Sequence, residues 1–209
     1  MKIQIYSDTI CPWCFVGKRR LAAALAQRPQ LSPAIVWEPF QLNPDMAPEG
    51  ADRDEYIKAK FGPGGFGQMG DALLEIGKSV GIDFDFDRPG RVPNTIDSHR
   101  MMTFAATQGL QDALSEVMFR QYFGEGLDIS DPDILAAAGA EAGMDAAAVE
   151  SLLGSDDGRA EIHQSDAAAR AMGISGVPTF VFDNKYALVG AQEPAAFLEL
   201  FDHLESEAA

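Results

Sequence analysis

The sequence predicts an α/β protein in which a βαβ unit opens the chain and a ββα unit closes it. The two units share one sheet, which a large all-helical insertion splits. Three observations carry this reading. Alternating and branched runs bracket a helical stripe at the start. Capped helical patterns fill the middle, and two short apolar runs joined by a tight turn precede a last helix.

Lys2 to Tyr6 alternates as a strand and ends at the turn-formers Ser7 and Asp8. Cys14, Gly17, Leu21 and Leu25 then recur at helical spacing, with Lys18, Arg19 and Arg20 mostly off that stripe. Gln27 to Pro33 breaks the helix, and Ala34 to Phe40 reads as a second strand. Strand, helix, strand in this order predicts a parallel pair with a right-handed crossover. Asn43 to Asp52 is a proline-containing loop, and Phe61 to Gly67 a glycine-rich break.

Helix starts follow at Asn94-Thr95, Asp131-Pro132 and Asp145. Five or six helices and no strand are expected between about Arg53 and Met172. Thr179 to Phe182 and Tyr186 to Val189 are strands around an Asp183-Asn184-Lys185 turn, and Pro194 starts a final amphipathic helix. The domain boundaries follow: residues 1–42 and 173–209 form the sheet domain, and 43–172 the helical insertion.

The chain has 209 residues and a net charge of −16, which argues against nucleic acid, since phosphate backbones require a clustered positive surface. No apolar stretch is long enough to span a membrane, and the strand-like start has no signal-peptide pattern, so a cytoplasmic protein is expected. The only two cysteines, Cys11 and Cys14, stand three positions apart, which excludes a structural disulfide framework.

A Cys-x-x-Cys at a helix start has a chemical purpose. Unpaired backbone N–H groups and the helix dipole favour an anion there, so the thiolate of Cys11 is stabilised. Cys14, about one turn on, can attack a mixed disulfide and release the substrate. Pro12 suits the first turn, where its missing N–H costs nothing. Zinc would need about four ligands, and His99, His163 and His203 show no ligand spacing, so no metal is expected. Val177-Pro178 directly before a strand is the second signal, because proline at a strand start avoids breaking the ladder.

With these motifs placed, the sequence resembles the DsbA-like thioredoxin superfamily, in its cytosolic FrnE-type branch. That branch is related to 2-hydroxychromene-2-carboxylate isomerase and kappa-class glutathione transferase. The resemblance runs through Ser7 to Arg19, Phe40 to Met46, Pro93-Asn94-Thr95, Ser98-His99-Arg100, Gly176 to Phe182 and Tyr186 to Gln192. It implies a thioredoxin-like fold and dithiol–disulfide exchange on protein or small-molecule disulfides. Cys11 is then the nucleophile, Cys14 the resolving thiol and Pro178 a cis-proline that faces them.

The isomerase and the transferase carry serine where this chain has Cys11, so disulfide exchange is favoured here over glutathione-dependent isomerisation of an aromatic metabolite. A non-enzymatic chaperone-like module ranks third. No cofactor is required; glutathione is the co-substrate the relatives suggest, lying near Val177 and Asn43. Related folds are often homodimers. An acid beneath the cysteine pair is common in the fold, and Asp8 and Glu38 are the candidates.

Trp13 offers an apolar contact beside the pair, and His99 is weighed as a substrate-facing residue against a satisfied surface or interdomain histidine. His163 and His203 are expected at the surface. Met101, Met102, Met118 and Met172 read more readily as core than as a peptide groove. The glycines of Phe61 to Met69 lack the context of a phosphate loop.

Overall fold

The computed structural model describes residues 1–62, 66–86, 88 and 90–208. Strand β1 (Lys2–Ser7) leads into helix α1 (Pro12–Ala26), and β2 (Ala34–Pro39) returns parallel to β1. The chain then makes β3 (Ala51–Asp52), α2 (Arg53–Phe61), α3 (Gly67–Ser79) and β4 (Arg91–Val92). Helices α4 (Ile96–Ala106), α5 (Gln111–Phe123), α6 (Pro132–Glu141), α7 (Ala146–Leu153) and α8 (Arg159–Ala171) follow. Strands β5 (Thr179–Phe182) and β6 (Tyr186–Val189) and helix α9 (Pro194–Ala208) finish the fold.

The main sheet has the order β2-β1-β5-β6, with β5 and β6 antiparallel to their neighbours. The first and last units of the chain therefore meet at β1 and β5, as the sequence predicts. Asp183 and Asn184 take left-handed conformations (φ 48° and 56°), which short polar side chains tolerate and which match the twist of a tight hairpin. On one face, Phe180 and Phe182 pack against Phe197 and Phe201 of α9, all fully buried.

The middle of the chain departs from expectation in two ways. Seven helices, not five or six, lie between Arg53 and Ala171 among the described residues. The expected absence of strands is also corrected: β3 and β4 form an antiparallel pair two residues long, too short to show an alternating pattern. Pro63 to Gly65, within the expected glycine-rich break, lie outside the described residues.

Tertiary partners also bury residues that a helical stripe assigns to solvent. Lys18 is 7% exposed because its ammonium reaches the Asp112 carbonyl and carboxylate, both at 2.7 Å, and the Ser115 hydroxyl at 3.2 Å. A buried lysine needs such a set to offset lost hydration. Arg20 is buried likewise against Glu193 and the Ala191 carbonyl. Both cations tie α1 to its neighbours instead of facing water.

Candidate active site

Cys11 is the N-cap of α1, and Pro12 occupies the first turn. The Cys11 N–H donates to the Asp8 carbonyl at 3.1 Å, and the Cys14 N–H donates to the Cys11 carbonyl at 3.0 Å. This turn holds both sulfurs at the mouth of the helix. Cys11 is 4% and Cys14 1% exposed, and both are free thiols.

The Val177–Pro178 bond is cis, and the Cys11 thiol donates to the Val177 carbonyl at 3.6 Å. Five residues of the sequence reading therefore converge: Cys11, Pro12, Cys14, Val177 and Pro178. Val177 stands just before β5 and takes no part in either β5 ladder, so its backbone is placed to pair with an extended ligand. Gly17 makes this approach possible. A Cβ there would stand 2.9 Å from Phe180 Cζ and 3.0 Å from Pro178 Cγ.

Beneath the pair the site is buried. Burial pushes the Cys14 thiol well above the ordinary range, and the neighbouring Cys11 pushes it further. The Ser7 hydroxyl and the Asp8 backbone N–H pull the other way, because both favour a Cys14 thiolate. Ser7 is the neighbour of Cys14 that the sequence did not single out; its signals were its place at the end of β1 and at the start of the Ser7 to Arg19 stretch.

Asp8 is the buried acid, fully enclosed, and its Oδ2 accepts the Leu42 N–H at 2.7 Å. Glu38, the other candidate, is half-buried and accepts from Gln4 Nε2 at 3.2 Å. His99 is buried rather than at the surface, and it takes the interdomain place, with its insertion helix facing Asp8 of the sheet domain. It is 3% exposed, and its Nε2 lies 3.4 Å from Asp8 Oδ1. The inner face of α4 packs on β2 here and buries both groups, and neither Nε2 nor Oδ1 has a hydrogen-bond partner among the described residues.

The rest of the Ser98-His99-Arg100 stretch is explained on the same helix. Thr9 and Ser98 join hydroxyl to hydroxyl at 2.7 Å. Arg100 is 1% exposed and donates to the carbonyls of Leu152, Ser155 and Asp157, closing the end of α7. Met101, Met102 and Met118 are core residues, whereas Met172 is 64% exposed.

On the other side of the pair the site is open. A cavity of about 140 Å³ is walled by Ile10, Pro12 and Leu42 on one side and by residues of α2, β4 and α5 on the other. Asn43 stands at its edge, where its Oδ1 accepts from the Tyr56 hydroxyl at 2.8 Å and its buried Nδ2 has no partner among the described residues. Trp13 is half-buried and packs against the core.

A cysteine pair at a helix start, facing a cis-proline across a β1–β5 junction, can exchange a dithiol for a disulfide. Comparison with known proteins agrees with that architecture. A curated relative, the uncharacterized protein YwbO of Bacillus subtilis, is 27% identical over 86% of this chain and 85% of its own. The crystal structure of a probable DsbA oxidoreductase from Streptomyces coelicolor superposes with a TM-score of 0.87 at 28% identity, over 99% of this chain and 91% of that one. The cytosolic disulfide reductase DsbM of Pseudomonas aeruginosa, solved with GSH, superposes at 0.65 with 21% identity, over 100% and 99% of the two chains. Residues 2–202 match the DsbA-like thioredoxin domain as a whole, and the chain belongs to that family.

Proposed function

We propose that this chain is a dithiol–disulfide oxidoreductase in which Cys11 is the nucleophile and Cys14 the resolving thiol. The observation that carries the reading is the placement of Cys11 as the N-cap of α1, with its sulfur 3.6 Å from the carbonyl before the cis-proline. Helix-end N–H groups favour a thiolate at that point. A disulfide lying along Val177 would present a sulfur to it.

The Cys11 thiolate attacks that sulfur, the substrate S–S bond breaks, and the first thiolate leaves. Cys14 then yields its proton to the departing thiolate and attacks Cys11 Sγ. Ser7 and the Asp8 N–H support the transient Cys14 anion that burial otherwise disfavours. The second thiolate leaves, and Cys11–Cys14 becomes a disulfide. A thiol reductant restores the dithiol.

Glutathione is a fitting reductant. DsbM, a relative in fold, was solved with it, and the Asn43 Nδ2, which has no partner among the described residues, offers a polar contact. A reducing, cytoplasmic setting goes with this direction of flow. The presence of cysteine at both positions favours disulfide exchange over the isomerase reading, in which a serine hydroxyl would hold a glutathione thiolate.

Insulin reduction with dithiothreitol as donor tests the proposal. Wild type is expected to accelerate insulin precipitation, and Cys11→Ser to fall to the uncatalysed rate. Full activity in Cys11→Ser would refute it.

A further inference from the structure

The cavity beside Pro12 has a charge that the rest of the chain does not prepare for. The chain holds 32 acidic and 16 basic residues. Among the described lining residues the balance inverts: Arg53, Lys60, Arg88 and Arg91 face a single carboxylate, Asp85. Arg88 takes that carboxylate at 2.7 Å. Arg53 and Lys60 have no carboxylate partner among the described residues, and Arg91 has only Asp128 at 4.0 Å.

The walls between these cations are aromatic. Lys60 donates to the Tyr56 hydroxyl and sits 5.0 Å from the Tyr56 ring centroid. Tyr122 lies close to Arg53: burial raises its phenol above the usual range, and the Arg53 charge pulls it back down. A cavity of about 150 Å³ holds one benzene ring, and this one is about 140 Å³. That space has room for one ring-sized group. On a chain of net charge −16, cations without carboxylate partners around an aromatic pocket make a local site for an anion.

Resting on the oxidoreductase reading above, we propose that the substrate of Cys11–Cys14 is a small disulfide bearing an anionic aromatic group, which seats in this pocket beside Pro12. Its carboxylate or equivalent anion meets Arg53, Lys60 and Arg91, while its ring lies against Tyr56 and Tyr122. Its sulfur is then carried towards Cys11. Exchange gives two thiols from one disulfide, one of them carrying the anionic ring, with the two electrons supplied by the Cys11–Cys14 dithiol, which becomes the disulfide. A thiol reductant regenerates the dithiol.

The test compares two disulfide probes on the reduced, full chain. Dithiobis(nitrobenzoate) is an aromatic disulfide with carboxylates, and dithiodipyridine is a neutral aromatic disulfide. Arg53→Glu places the opposite charge at the pocket. Lys58→Glu makes the same change in net charge on the same exposed helix, at a position that does not line the pocket.

At low ionic strength Arg53→Glu is expected to slow the Cys11 reaction with dithiobis(nitrobenzoate) about tenfold, with the dithiodipyridine rate unchanged. Lys58→Glu is expected to leave both rates close to wild type. Equal rates for Arg53→Glu and Lys58→Glu with both probes would overturn the proposal. So would insulin reduction that falls in parallel with the nitrobenzoate rate, since the pocket would then serve protein substrates. A wild-type chain whose Cys11 reacts with neither probe would instead remove the oxidoreductase reading beneath it.

Discussion

The two sides of the first turn of α1 are built on opposite principles. Under Cys14 the packing is closed: Ser7, Asp8 and His99 are buried, and the Leu42 N–H holds Asp8 Oδ2. Beside Pro12 the packing is open, and the exposed helix α2, which buries no residue, forms part of the wall. The closed side holds the Cys14 thiol well above its ordinary range. In the proposed reaction that side governs the proton and the open side receives the substrate, with the sulfur of Cys11 between them.

Breaking the closed side is expected to cost the most. Gly17→Val would force carbon atoms into the 2.9 Å and 3.0 Å gaps to Phe180 and Pro178, both part of the buried site. Overpacking of this kind costs about 1–3 kcal/mol, readable as a lower denaturation midpoint, and it moves Pro178 away from Cys11. An enlargement on the open side, Ala59→Val at an exposed position of α2, should be nearly silent.

A smaller effect follows from Cys14. Its thiol is raised in the folded state, so the native protein keeps a proton that the unfolded chain releases. The resulting stability is complete below the unfolded thiol value, about 8.5, and is lost as pH rises above it. Under reducing conditions the wild type is expected to lose up to about 1.4 kcal/mol per pH unit on this account. Cys14→Ala should flatten that part of the profile. Identical slopes for the two proteins in denaturant titrations above this pH would place Cys14 in a wetter site than the one described.

What the sequence shows of this arrangement depends on how local the cause is. The strands around the cysteine pair, the turn at Asp183-Asn184 and the start of α9 at Pro194 follow from neighbouring residues, and so could be read directly. Cys11 and Pro178 were legible as a pair because each occupies a position with few structural uses. Helix α7 is only eight residues long and α2 buries nothing, so the helical block was undercounted.

Burial of Lys18, Arg20 and His99 was invisible for a different reason. Each is a polar residue whose partners, Asp112, Glu193 and Asp8, lie on other elements. The basic pocket was invisible too, because Arg53, Lys60 and Arg91 are separated by acidic and apolar stretches and meet only when α2 folds against β4.

The central claim is the division of labour between the two cysteines. It is tested most directly by intact-mass analysis of single-cysteine variants after brief exposure to dithiobis(nitrobenzoate). Cys14→Ala is expected to hold one stable thionitrobenzoate adduct on Cys11, because nothing remains to resolve it. Cys11→Ser is expected to stay unmodified over the same interval, its remaining thiol buried and protonated. Rapid labelling of Cys14 in Cys11→Ser, or no adduct in Cys14→Ala, would contradict the account.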